Sequence, residues 1–177
     1  MNIHRDRPKQ TVLQIGSSLI VALSLAVPAA AEDTEVPRVE VRVEVEREIV
    51  QARADGRRVS RREPVRTVVP GDVLVYTLSA HNVGHAPALN PRLQDPVPEG
   101  TVLIPDSVAL EGTTVMASLD EGTSWQRFPV LVERETAGGG RESVPVPASA
   151  YTHLRWVLDG TLDPGEQQQV SFKVTIQ

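Results

Sequence analysis

Val39-Glu40-Val41-Arg42-Val43-Glu44-Val45 sets a β-branched aliphatic residue against a charge at every step. Successive side chains of an extended chain point to opposite faces, so the valines share one face and the charges the other. The spacing predicts a strand with one face buried and one solvated. The chain runs on through Ile49-Val50 to Ala54-Asp55-Gly56-Arg57. Asp-Gly between two extended runs predicts a hairpin closed by a type I′ turn, whose central positions both need positive φ. The returning arm covers residues 58–69 and stops at Pro70-Gly71. A period of two recurs in DVLVYTLSAHN (72–82), with Leu74, Tyr76, Leu78 and Ala80 on one face. It recurs again at 169–176, where Val170, Phe172, Val174 and Ile176 alternate with Ser171, Lys173 and Thr175.

Between these anchors, short extended runs are expected at 92–94, 101–104, 107–110, 114–118, 125–133 and 154–158. Fourteen prolines and twelve glycines punctuate the chain and disfavour long helices. Many short strands separated by turn residues predict an all-β, immunoglobulin-like antiparallel β-sandwich. The expected organisation is a signal peptide (1–31), an N-terminal β-hairpin extension (32–65) and the sandwich (66–177). Gly138-Gly139-Gly140, within 136–143, reads as the one flexible loop.

The first residues carry Arg5, Arg7 and Lys9 against Asp6, followed by an apolar stretch at 12–27 and then Pro28-Ala29-Ala30-Ala31. This is the three-part pattern of a secretory signal, with Ala29 and Ala31 as the small residues before the cleaved bond and Glu32 as the first mature residue. The apolar run is short and interrupted for a spanning helix, which needs about 20 residues. The net charge of −5 becomes two units more negative on cleavage, which speaks against nucleic acid as a partner. The chain has no cysteine, so a disulfide framework, a thiolate metal site and a cysteine nucleophile are excluded. No membrane span is expected after processing, and the localisation expected is periplasmic, cell-surface or extracellular.

Several motifs have a turn chemistry that explains each residue. Pro70-Gly71-Asp72 supplies the fixed φ and the positive φ of a type II turn. Asn82, two residues before Gly84, closes an Asx turn, and Pro98-Glu99-Gly100 turns the chain again. With Tyr76-Thr77-Leu78, with Asp95-Pro96-Val97-Pro98-Glu99-Gly100 and with Leu162-Asp163-Pro164-Gly165-Glu166 before the last strand, these residues resemble the bacterial conserved-repeat domain numbered eleven among the domains of unknown function. The resemblance spans about residues 66–177. It implies an immunoglobulin-type module of secreted or surface-attached proteins, often found in tandem and without attached activity; one copy occurs here.

Ser118-Leu119-Asp120-Glu121-Gly122-Thr123-Ser124-Trp125 resembles the Asp-box hairpin, in which the aspartate binds turn amides and the tryptophan packs beneath. His81 and His85, with Asp95 as a third group, form a poor zinc set, since His81 ends a strand and His85 lies in a loop. Calcium through Asp95, Asp106, Asp120, Glu121, Asp159 and Asp163 lacks a D-x-D-x-D-G loop. Neither a G-x-S-x-G elbow nor a phosphate loop is present. Neither catalytic residues nor a cofactor are therefore expected. Arg53, Arg57, Arg58, Arg61, Arg62 and Arg66 read as a solvated, charged hairpin. Trp156 is expected in the core, and Tyr151, five residues away, on the opposite face if the strand is unbroken, where the alternative reading has it available for stacking. The function expected is a non-enzymatic structural or protein-interaction module of the cell envelope, with protein docking through the 39–45 strand. The alternative is a carbohydrate-binding module using exposed aromatics.

Overall fold

The computed structural model describes residues 36–108 and 112–177, and the signal residues Ala29, Ala31 and Glu32 lie outside them. The described chain is an antiparallel β-sandwich. Its strands are β1 (Val39–Ala52), β2 (Arg58–Pro64), β3 (Val73–Asn82), β4 (Ala88–Leu89), β5 (Arg92–Pro96), β6 (Thr101–Ile104), β7 (Thr113–Ser118), β8 (Gln126–Arg127), β9 (Leu131–Glu135), β10 (Arg141–Pro145), β11 (His153–Leu158), β12 (Thr161–Leu162) and β13 (Gln167–Ile176). One sheet has the order β2-β1-β3-β13-β6 and the other β5-β11-β7-β8. Among the described residues no helix is long and apolar enough to cross a membrane.

The alternating sequences build the core as their period requires. Leu74, Leu78 and Ala80 of β3, Val170, Phe172 and Val174 of β13 and Leu103 of β6 form the buried face of the first sheet. Leu93 of β5, Leu154, Trp156 and Leu158 of β11 and Ala117 of β7 face them from the second. Trp156 is fully buried, its ring 5.8 Å from that of Phe172, which stacks on Tyr76 at 5.0 Å. Outside this sandwich face, Val75 is buried on the opposite side of β3, between Glu46 and Lys173. Lys173 reaches across β3 to Glu48 at 2.7 Å and so ties β13 to β1.

The N-terminal hairpin is part of this architecture and no appendage to it. β1 pairs with β3 from Val39 to Glu48, and with β2 from Glu46 to Ala52. Its turn is not type I′, because Gly56 (φ 80°) takes positive φ while Asp55 does not. Gly56 N–H donates to Arg53 O, and Arg53 N–H to Arg57 O, the geometry of a three-residue loop in which one glycine suffices.

Four local expectations need correction. The run at 125–133 is divided at Pro129, which has no N–H to give a ladder, into β8 and β9. The run at 107–110 begins in a 3-10 turn, Pro105–Ser107, and residues 109–110 lie outside the described set. The triple-glycine segment is the tip of a hairpin between β9 and β10, tied by Gly139 N–H to Thr136 O and Thr136 N–H to Gly140 O. Tyr151 is buried and not available for stacking. A 3-10 turn at Ala148–Ala150 delivers it before β11 starts, so the two-residue period never applies.

Candidate functional site

The turn motifs are built as the sequence requires. Asp72 N–H bonds Val69 O around Pro70-Gly71, with Gly71 at φ 92°. The Asp72 carboxylate accepts from Val69 N–H at 3.0 Å and from Arg47 at 3.4 Å. Glu166 N–H closes the same turn over Pro164-Gly165 onto Asp163 O. Thr101 N–H reaches Pro98 O around Gly100.

Asn82 does more than an Asx turn. It is fully buried, and its Oδ1 accepts from Gly84 N–H at 3.0 Å and Arg38 N–H at 3.3 Å. Its Nδ2 donates to Ala86 O at 2.8 Å and Leu162 O at 2.9 Å. One amide thus joins the entry to β1, the loop after β3 and the β12 bridge. Gly84 sits so close to the same entry segment that an added Cβ would lie 2.7 Å from Val36 O and closer still to Arg38 N.

The Asp-box hairpin closes on itself in the same way. Asp120 accepts from Ser124 N–H (2.8 Å), Ser124 Oγ (2.6 Å) and Ser118 Oγ (2.7 Å). These donors hold its carboxyl down at about 2. Gly122 N–H donates to Ser118 Oγ, and Trp125 Nε1 donates back to Gly122 O. Positive φ falls on both Glu121 (57°) and Gly122 (83°). Trp125 is half-buried, with the Arg155 guanidinium 3.6 Å over its ring and Arg155 also bonded to Gln94. With Tyr151 bonded through its hydroxyl to Val130 N–H and Trp156 in the core, these three rings make no aromatic platform on one face.

Among the described residues no three His, Asp or Glu side chains converge on a point that would hold a metal. His81, on β3, is registered between Glu40 and Gln167. Of the acids that calcium would need, Asp95 is on β5, Asp106 in the 3-10 turn Pro105–Ser107, Asp120 and Glu121 in the Asp-box turn, and Asp159 and Asp163 on either side of β12. Asp95 is the exception to simple turn chemistry. It is half-buried on β5 opposite Leu154, its carboxylate accepts no hydrogen bond among the described residues, and burial pushes that carboxylate up to about 6. Of the hairpin arginines, Arg57 pairs with Asp55, Arg61 with Glu63 and Arg62 with Glu46, so the segment is a mixed-charge surface.

The feature left open is the outer edge of β1. β2 covers that edge from Glu46 onward, and residues 39–45 have β3 on one side and no strand on the other among the described residues. Backbone directions follow from the ladder. Val83 N–H donates to Arg38 O, while Asn82 N–H turns away to Glu166 O. Groups alternate along an antiparallel strand, so Arg38, Glu40, Arg42 and Glu44 bond to β3, and Val39, Val41, Val43 and Val45 direct N–H and C=O outward.

Those same valines lie on the core side of the sheet, registered with Asn82, Ala80, Leu78 and Tyr76. Even so, Val41 is 51% and Val43 44% exposed, because the opposing sheet stops short of them.

Comparison of the chain with protein-family models, with curated proteins and with solved structures gave no match.

The edge combines unpaired backbone groups with uncovered aliphatic side chains, and its charges are displayed on the other face. Sequence reasoning located the strand. It missed Arg38 and Pro37 as parts of the same edge, although both stand directly before the valine alternation.

Proposed function

We propose that this chain is an exported, non-catalytic β-sandwich module of the bacterial cell envelope or surface that works by docking another polypeptide along residues 38–45. The observation that carries this reading is the open β1 edge, whose outward amides and exposed Val41 and Val43 are what an added strand satisfies. The leader pattern ending at Ala29-Ala30-Ala31 supports export. The turn residues shared with the conserved-repeat domain support a modular, structural role. Asn82, Ser118 and Asp120 already spend their polar atoms inside the fold, which fits display and not chemistry.

The test is made in a bacterial host, with a photo-crosslinking residue at Val41 and, as a control, at Leu89, which is exposed on the short β4 strand. The expected product begins at Glu32, is found outside the cytoplasm, and forms a discrete crosslink from position 41 that position 89 does not form. Retention of Met1 in the cytoplasm, or equal crosslinking from both positions, refutes the proposal.

A further inference from the structure

We infer that the polypeptide docked on this edge is a second copy of the same chain, the two β1 strands pairing antiparallel about Val41. This rests on the reading of the edge as a docking surface and names its partner. Two observations carry it: the direction of the outward backbone groups and the order of charges from Arg38 to Glu44.

A two-fold axis through Val41 sets each residue opposite the one whose number completes the same sum. Val41 meets Val41 of the other copy, Val39 meets Val43, Glu40 meets Arg42 and Arg38 meets Glu44. Every charged residue therefore faces the opposite sign, which favours a cross-strand pair. Neighbouring registers that keep valines on the same face lose this. An axis through Arg42 opposes Arg42 to Arg42 and Glu40 to Glu44; an axis through Val43 keeps Arg42 opposite Glu44 but would set Glu40 against Glu46, where β2 already occupies the edge. Like charges directly opposite are destabilising, so the sequence selects one register.

The backbone agrees. The valines carry the outward N–H and C=O groups, so Val41–Val41 and Val39–Val43 become hydrogen-bonded pairs of the new ladder. The ladder also ends where it must. Pro37 would stand opposite Val45, and it has no N–H; at Glu46 the edge is already taken by β2.

Side chains complete the fit. The exposed Val41 and Val43 of one copy lie beside Val41 and Val39 of the other, on the face that the opposing sheet leaves uncovered. In the isolated chain Arg38 pairs with Glu40 and Arg42 with Glu44, both fully on the surface. Exposed pairs of this kind are weak, and exchanging them across the axis costs little. The resulting contact is isologous and closes as a dimer, so it does not propagate. Alternating charge on an edge strand normally guards against random pairing, and here it also specifies one partner.

The test is sedimentation of the purified protein from about 1 to about 500 μM, the span in which weak pairing resolves. The expected species is a dimer at the upper end. Arg42→Glu and Glu40→Arg each set like charges across the axis and are expected to be monomeric over the whole range. An equimolar mixture of the two restores opposite charges and is expected to give a mixed dimer. Both side chains lie on the solvated face, and circular dichroism of each variant checks that the fold is retained. The chain has no cysteine, so Val41→Cys gives a second readout. Hydrogen-bonded pairs have Cα atoms about 5.5 Å apart, within disulfide reach, and oxidation is expected to link position 41 to itself far faster than Val43→Cys.

A wild-type protein that stays monomeric, or a dimer that both charge variants leave intact, overturns the inference. In that event a crosslink from position 41 to a different protein in the host leaves the broader docking proposal standing, and its absence removes both.

Discussion

Replacing Asn82 by alanine is the sharpest perturbation of the fold that holds the open edge. The side chain is fully buried and makes four hydrogen bonds, two given and two accepted. Alanine leaves Ala86 O and Leu162 O without their donor and Gly84 N–H and Arg38 N–H without their acceptor. A buried polar group stripped of its partner costs about 1–3 kcal/mol, and the Arg38 contact at 3.3 Å is the weakest of the set. Water will reach some of these groups near the loop, so the expected loss is about 3–4 kcal/mol. For a domain of this size that is about 10 °C in Tm, and a large share of the ~5–15 kcal/mol that domains possess. Urea unfolding followed by tryptophan fluorescence measures it. Asn82→Asp sharpens the reasoning, because a carboxylate can still accept from Gly84 and Arg38 but presents oxygen to the two carbonyls. It is expected to be no better than alanine at neutral pH and to recover in acid, where a protonated carboxyl regains one donor. A loss below about 1 kcal/mol for Asn82→Ala refutes the reasoning. So does an Asn82→Asp variant that matches the wild type at pH 7.

Further expectations follow from other parts of the sandwich. Asp95 binds its proton more tightly folded than unfolded, so it costs stability as pH rises from about 4 through about 6. Asp95→Asn is expected to raise stability at pH 7.5 by about 1 kcal/mol, after discounting for its exposed half, and to change nothing at pH 3.5; thermal melts at the two pH values check this. Asp120 has the opposite sign, since its folded carboxyl is held at about 2, so the stability it contributes is present above the ordinary aspartate range and is lost as pH falls from about 4 to about 2. Asp120→Asn is expected to flatten that acid limb of the stability profile. Ser118→Ala removes the hydroxyl that accepts from Asp120 and Gly122 N–H and is expected to cost about 1–2 kcal/mol by denaturant titration. Gly84→Ala forces a Cβ against the backbone of Val36 and Arg38 and is expected to destabilise by at least 2 kcal/mol, by the mechanism of overpacking, with loss of amide protection at residues 38–40.

Strand identity was legible wherever one face is fully buried. Leu74, Leu78 and Ala80, like Val170, Phe172 and Val174, alternate because a covered sheet demands it. The turns at Pro70-Gly71, Pro164-Gly165 and Asn82-Gly84 were legible because few residues satisfy their φ values or their side-chain bonds. What stayed hidden depends on distant partners. The valine pattern of β1 tells which face those residues share, but not that the second sheet fails to reach Val41 and Val43. Tyr151 was misplaced because a period of two carries meaning only inside a strand, and the 3-10 turn at 148–150 resets it. Asp55-Gly56 signals a hairpin, while loop length, set by the Arg53–Arg57 pairing, selects the turn. The four-bond role of Asn82 needed Leu162, eighty residues away, to become visible.

The most direct measurement of the central claim is residue-resolved amide hydrogen exchange along residues 38–45. In dilute solution, Glu40, Arg42 and Glu44 are expected to be protected by β3, while Val39, Val41 and Val43 exchange rapidly from the open edge. At high concentration the valine amides are expected to become protected as a second strand adds. Uniform protection across these residues in dilute solution, or rapid exchange of the charged residues with the valines protected, contradicts the account.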